Sequence, residues 1–242
     1  MTEFGADTAM GELTIRWIGQ GGYLFSDGNT TVCVDPYLSD VVNRVAGRPR
    51  MVEPAVQPEA LSCDVVVCTH NHLDHIDIDA IPRMQKEGLP FLAPSHGEET
   101  LRSCGVTDYT AFDEGAVYQI GAFTLKAVFA DHSVPAVGLL LCHGNRKIYL
   151  SGDTEYHEKL KELSGEALDI AIICINGRLG NMNVDQAVEL TKALNPTVGI
   201  PTHYGMFESN TEDPAKYTSR LTCGVELNYN QVYEVEELIK NV

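Results

Sequence analysis

Residues 64–75, DVVVCTHNHLDH, decide how this chain is read. An apolar run of strand length breaks off into three histidines and an aspartate within six residues. Neutral imidazole and carboxylate are the groups that bind Zn, Mn or Fe near neutral pH, and a strand end can hold several of them around one point. Residues two apart on an extended segment point the same way, so His70 and His72 can share one ion. Asp74 and His75, past the turn, can then reach a second. A hydrophobic core has no use for such a cluster, and a solvated loop favours Ser, Gly, Asn or Lys.

Outward from this stretch, the first part of the chain reads as a β-meander, with strands at 13–18, 23–26 and 31–35 around the turns GQGG and DGNT. Residues 39–58 carry little periodicity and several Pro and Gly, which predicts a long loop that could border a cleft. Strands alternating with helices follow: strand 64–69, helix 77–87, strand 90–93, helix 97–103. A second round has strands at 116–120, 123–129, 137–142 and 146–151, helix 155–163, strand 168–174, helix 184–194, strand 197–200 and helix 214–221. Strand material around an Asn turn closes the chain. Meander then β/α pairs thus occurs twice, and two sheets packed face to face with helices outside would bury all these apolar runs. No Pro-, Gly- or Ser-rich linker divides the chain, so residues 1–242 are expected to form a single α/β domain.

Composition sets limits on function. The net charge is −17, with 17 basic residues spread along 242, which argues against a surface built to neutralise phosphates and so against nucleic acid as partner. Seven cysteines stand singly, with no Cys-x-x-Cys, mostly inside apolar runs, and suit a reducing compartment. No stretch has the length needed to span a bilayer and the first residues lack a leader pattern, so a cytoplasmic enzyme without a membrane partner is expected.

If the 70–75 stretch holds two ions, further ligands must come from other strand ends. His132 follows TLKAVFA, Asp153 follows KIYLSG and His203 follows TVGIP. Each stands past an apolar run as His70 does, and the recurrence is stronger than any one instance. Asp131 competes with His132 for the ligand role, and Asp153 could instead cap the helix after it, although Thr154 could take that cap.

His-x-His-x-Asp-His, a His after a strand, SGDT and PTHYG, in this order, resemble the metallo-β-lactamase superfamily. The longer stretches THNHLDHID, NGRLGNMNVDQAVEL, IPTHYGMF and ESNTEDP resemble its branch of L-ascorbate-6-phosphate lactonases. The resemblance implies a four-layer αβ/βα sandwich with the site along one edge. It implies one metal held by His70, His72 and His132, another by Asp74, His75 and His203, and Asp153 bridging them.

The expected chemistry is hydrolysis by a metal-bound hydroxide at a dinuclear site, using two divalent ions, Zn or Mn with Fe also accepted, and Asp74 or Asp153 as proton acceptor. No Gly-x-Ser-x-Gly elbow competes. The expected substrate is a small anionic lactone or ester. Arg178, Asn176 and Tyr204 are candidates to bind it, each also explicable as a solvated, turn or packed residue. His96, His143 and His157 read as surface or capping residues, and Trp17 and Tyr23 as core. Three alternatives stand beside this reading: an RNA phosphodiesterase of the same superfamily, a di-iron redox protein and a non-catalytic metal binder. His at position 72 and the absence of an attached flavin domain weigh against the redox reading. A homo-oligomer is left open.

Overall fold

A computed structural model describes residues 11–242. In the first half, β1 (Thr14–Gly19), β2 (Gly22–Ser26) and β3 (Thr31–Val34) form the antiparallel meander, and β4 (Val65–Val67), β5 (Phe91–Ala93) and β6 (Tyr109–Ala111) continue it in parallel. The second half repeats the plan. There β7 (Val117–Ile120), β8 (Phe123–Phe129), β9 (Val137–His143) and β10 (Arg146–Leu150) run antiparallel, and β11 (Ile170–Cys174) and β12 (Val198–Thr202) add in parallel to β10. Near the end, β13 (Val232–Glu234) returns to pair with β1. The sheet orders are β13-β1-β2-β3-β4-β5-β6 and β12-β11-β10-β9-β8-β7.

The two sheets share one core. Ile15, Phe25, Val65 and Val67 from the first meet Leu139, Tyr149 and Ile172 from the second. Val66, one residue out of phase, points to the opposite face and packs with Ile18, Phe91 and Leu101. A strand buried on both faces must be apolar at every position, which is why VVV reads as an unbroken run. Helices α2 (Glu98–Ser103) and α3 (Val184–Leu194) lie on the chain segments that follow parallel strands, giving the αβ/βα sandwich. α1 (Val41–Ala46), α4 (Ala215–Thr218) and α5 (Val235–Lys240) complete the α-helices among the described residues.

Several elements differ from expectation. Residues 77–87 are turns with one 3-10 segment, Ile81–Arg83, and no α-helix. Pro82 has no N–H to donate, and the Asp77 carboxylate diverts local amides by accepting from Asp79 N and Ala80 N as well as Leu38 N and Ser39 N. The 155–163 helix is instead a 3-10 stretch over Glu158–Glu166, capped by the His157 ring accepting from Lys159 N. The 39–58 loop contains α1, the 214–221 helix shrinks to α4, and the chain end folds as β13 followed directly by α5. The expectations missed β6 altogether, because YTA is only three residues long and mostly exposed.

Strand direction places the site. In the first sheet β1, β3 and β4 run alike, and in the second β8, β10, β11 and β12 do. Gln20, Asp35 and Thr69-His70 therefore lie just past the ends of one set, and His132, Asp153, Asn176 and His203 just past the ends of the other. The Val137 amide donates to Thr69 O at 3.0 Å and the His203 amide to Gln20 O at 3.3 Å, so both sets meet at one edge of the sandwich.

Candidate metal centre

At that edge His70, His72 and His132 form one group, Asp74, His75 and His203 another, and His70, His75 and Asp153 a third, with the donor atoms in each within 4.8 Å of one another. The structure thus brings all seven expected ligand residues together. His72 Nδ1 lies 3.0 Å from His70 Nε2 and 3.2 Å from His132 Nε2. The far nitrogen of each outer ring is engaged elsewhere: His132 Nδ1 donates to Gly180 O at 2.9 Å, and His70 Nδ1 lies 3.1 Å from Thr69 Oγ1. Those contacts fix the tautomers that leave both Nε2 atoms free as donors to an ion. A side chain at Gly180 would intrude, since a Cβ there would sit 2.9 Å from His132 Nδ1 at a φ of +86°.

Asp153 joins the second group, its Oδ1 lying 3.0 Å from His203 Nε2 and 3.5 Å from His75 Nε2. Asp74 Oδ2 is 3.6 Å and 3.9 Å from the same two nitrogens. Burial keeps the first group's rings neutral, while carboxylates crowd the second group. Burial, followed by the neighbouring His75, pushes His70 well below the ordinary imidazole range, and burial and His132 depress His72. Burial also disfavours charge on His75, but Asp35, Asp153 and Asp74 outweigh it and raise that ring well above its usual value. Asp153 is held well below the carboxylate range, its burial overcome by His203 and His75. Asp153 caps no helix, because the following segment starts only after His157. Nor does Thr154 serve as a cap: its hydroxyl accepts from Asp131 N and donates to Glu155 O.

Three further residues, Asp35, Gln20 and Asn181, support the candidate ligands. Asp35, fully buried at φ +43°, accepts from His75 Nδ1 at 2.7 Å and from the Thr69 amide and hydroxyl, both at 2.7 Å. It stands directly after the apolar TVCV, the same signature that singled out Asp153. Gln20, within the GQGG turn, reaches Asp74 Oδ2 at 2.9 Å and His203 Nε2 at 3.0 Å with its side-chain amide. Its carbonyl also accepts from Trp17 Nε1 and Thr202 Oγ1. Asn181 donates to Asp153 Oδ2 at 2.9 Å.

The three expected substrate contacts differ in exposure and partners. Arg178 is exposed and leans on Ser209 O at 3.4 Å. Asn176 is buried and donates to Asn210 Oδ1 at 2.8 Å. Tyr204 packs its ring 4.8 Å from Trp17 in the core, with burial raising its hydroxyl pKa. Trp17 and Tyr23 are core residues as read, His157 caps, and His96 is exposed. His143 is a correction: it is buried, 3.1 Å from Asp27 Oδ2 and against the Phe123 ring, because β9 carries it into the space between the sheets. All seven cysteines are free. No helix among the described residues is long and apolar enough to cross a membrane.

Whether these residues suit metal ions can be judged from unsatisfied atoms. His75 Nε2 and Asp153 Oδ1 are buried without a hydrogen-bond partner, as are Gln20 Oε1 and Asn181 Oδ1. Buried polar atoms are nearly always paired, so two candidate ligand atoms left unpaired 3.5 Å apart, His75 Nε2 and Asp153 Oδ1, fit a shared cation. The donor set fits Zn, Mn or Fe(II).

Comparison with known proteins agrees with this geometry. The family described as "Beta-lactamase superfamily domain" matches residues 30–204. A UPF0173 metal-dependent hydrolase of Thermoplasma acidophilum is 31% identical over 240 residues, covering 96% of this chain and 100% of that protein. Among solved structures, the metallo hydrolase Igni18 of Ignicoccus hospitalis is similar with a TM-score of 0.74 and 19% identity, covering 91% of this chain and 97% of its own. An isothiocyanate hydrolase from Delia radicum gut bacteria is similar with a TM-score of 0.76 and 17% identity, covering 91% and 98%.

Proposed function

The chain belongs to the metallo-β-lactamase superfamily and, within it, to the UPF0173 metal-dependent hydrolases, and on that premise we propose that it hydrolyses a small anionic lactone or ester at a dinuclear centre. The observation that carries this reading is the convergence of seven His and Asp side chains from both sheets, with orphaned donor atoms turned toward one another. His70, His72 and His132 would hold one ion, and Asp74, His75 and His203 the other, with Asp153 between them. Bound divalent ions supply Lewis acidity toward a carbonyl or phosphoryl oxygen and acidify a water.

The remaining work falls to the protein. Asp74 is the least enclosed of the carboxylates, with 17% of its side chain exposed, and Gln20 fixes one of its oxygens. That combination suits a group that takes a proton from the attacking water and gives it to the leaving oxygen. Asp35 and Thr69 hold the His75 and His70 rings, and Asn181 holds Asp153. The motif resemblance makes L-ascorbate 6-phosphate lactone the first compound to try.

The test begins with elemental analysis of chelator-free protein saturated in turn with Zn, Mn and Fe(II). A panel of lactones, esters, an isothiocyanate and phosphodiesters follows. About two ions per chain and turnover of a lactone or ester are expected, with Asp74→Asn weakening the second ion and, at metal concentrations that restore it, still lowering kcat by about 10²-fold or more. Well under two ions at saturation overturns the dinuclear reading. Turnover confined to phosphodiesters overturns the substrate class.

A further inference from the structure

Next to the cluster, between α1 and the loop that follows β11, lies a cavity of about 470 Å³. His72 and Asp74 line its inner end, so whatever fills it meets the candidate ligands directly. Its walls are largely apolar, from Val42, Leu73, Leu179 and Phe207, and its one cationic lining residue is Arg48. Leu179 is 57% exposed and sits at a φ of +55°, a costly conformation for a leucine that holds an apolar side chain at the rim.

Arg48 differs from the basic residues beside it. Arg44 is paired with Asp79 through two hydrogen bonds. Arg50 donates to Val52 O at 2.6 Å and Ser39 O at 2.7 Å, with its guanidinium 4.9 Å from the centre of the Tyr37 ring. Among the described residues Arg48 has no carboxylate or carbonyl partner, although the chain holds 34 acidic residues against 17 basic. Its backbone is nevertheless held on both sides, by Gly47 N donating to Asn43 O at 2.8 Å and Met51 N donating to Met206 O at 2.8 Å. A half-buried arginine on an anchored backbone, with no protein partner for its guanidinium, can turn its donors to an anion in the cavity.

We propose that Arg48 is the specificity residue of this enzyme: it holds a terminal carboxylate or phosphate of the substrate while the apolar wall holds a hydrocarbon segment leading to the scissile bond at His72 and Asp74. This rests on the hydrolase reading above and narrows it to an amphipathic anionic lactone or ester, in preference to a polyhydroxylated one. Arg178, which does not line the cavity, has no part in it.

The experiment compares wild type, Arg48→Met, Arg48→Lys and Arg178→Met, all zinc-loaded, on matched esters whose alkyl chains end in a carboxylate, a phosphate or a neutral amide. The expected result is that Arg48→Met lowers the anionic-over-neutral ratio of kcat/KM about tenfold or more, chiefly through KM. Arg48→Lys recovers part of it, and Arg178→Met leaves it in place. The arm with the larger wild-type ratio identifies the headgroup. Calorimetric titration with an alkyl carboxylate and an alkyl phosphate gives a readout independent of turnover, in which wild type binds one of them about tenfold or more tighter than Arg48→Met. An unchanged ratio, an equal fall in Arg178→Met or equal calorimetric affinities overturns the proposal. If wild type hydrolyses no member of the series, the ester reading of the substrate fails, and the titration still decides the role of Arg48.

Discussion

At the scale of the residue, the candidate ligands are held in place by side chains outside the ligand set. Asp35 receives His75 Nδ1 and both donors of Thr69, and Thr69 in turn steadies His70, so one carboxylate orients two rings. Asp35→Asn puts an amide where at least two acceptor oxygens are needed. Metal affinity should fall about 10–100-fold, read by competition with a chromophoric chelator, with the circular dichroism spectrum retained; affinity within twofold of wild type would deny Asp35 this role. The candidate ligands were legible in the sequence because four of them crowd residues 70–75 and the pattern of a His or Asp past an apolar run then recurs at 132, 153 and 203. Asp35 carried the same signature but stood alone, and Gln20 was hidden because an uncharged amide in GQGG is what a turn would also contain. Arg48 could not be told from Arg44 or Arg50 without knowing which guanidiniums find partners.

At the scale of the element, strands were read better than helices. Apolar runs such as VVV and IAIIC are dictated by burial on both faces, a demand visible in one dimension. Helical periodicity over 77–87 was overruled by Pro82 and by the Asp77 carboxylate, whose partners Leu38 and Ser39 lie far away in sequence. Helix α3 was legible at both ends because its signals are local. Asn183 accepts from Gln186 N at 3.0 Å, the Gln186 side chain accepts from Asn183 N at 3.0 Å, and Asn195 closes the helix at φ +50°. Asn183→Ala removes half of that reciprocal pair and should lower stability by about 1 kcal/mol, measured by urea unfolding of metal-free protein. A change indistinguishable from zero would mean that packing alone starts the helix.

At the scale of the whole molecule, the two sheets are joined at both ends. The metal-binding edge is one, and the opposite end is tied by Asp27, past β2, and His143, at the end of β9. Burial works against the Asp27 charge, but the amides of Thr30 and Asn29 and the His143 ring outweigh it, and its pKa falls below the ordinary 3.8. A carboxyl whose folded pKa is depressed stabilises the fold above its unfolded pKa and loses that contribution as pH falls through the folded value. Asp27→Asn should therefore be less stable than wild type by about 1–3 kcal/mol at neutral pH, with the gap narrowing in acid. Urea titrations of chelator-treated proteins from neutral pH down past 3.8 check this, and a gap independent of pH would refute it. Because the ligands are divided between the two sheets, the first four leave the ribosome long before His132, Asp153 and His203 exist. A nascent chain therefore offers only four of the seven candidate ligands, and the full set exists only once the second sheet has formed.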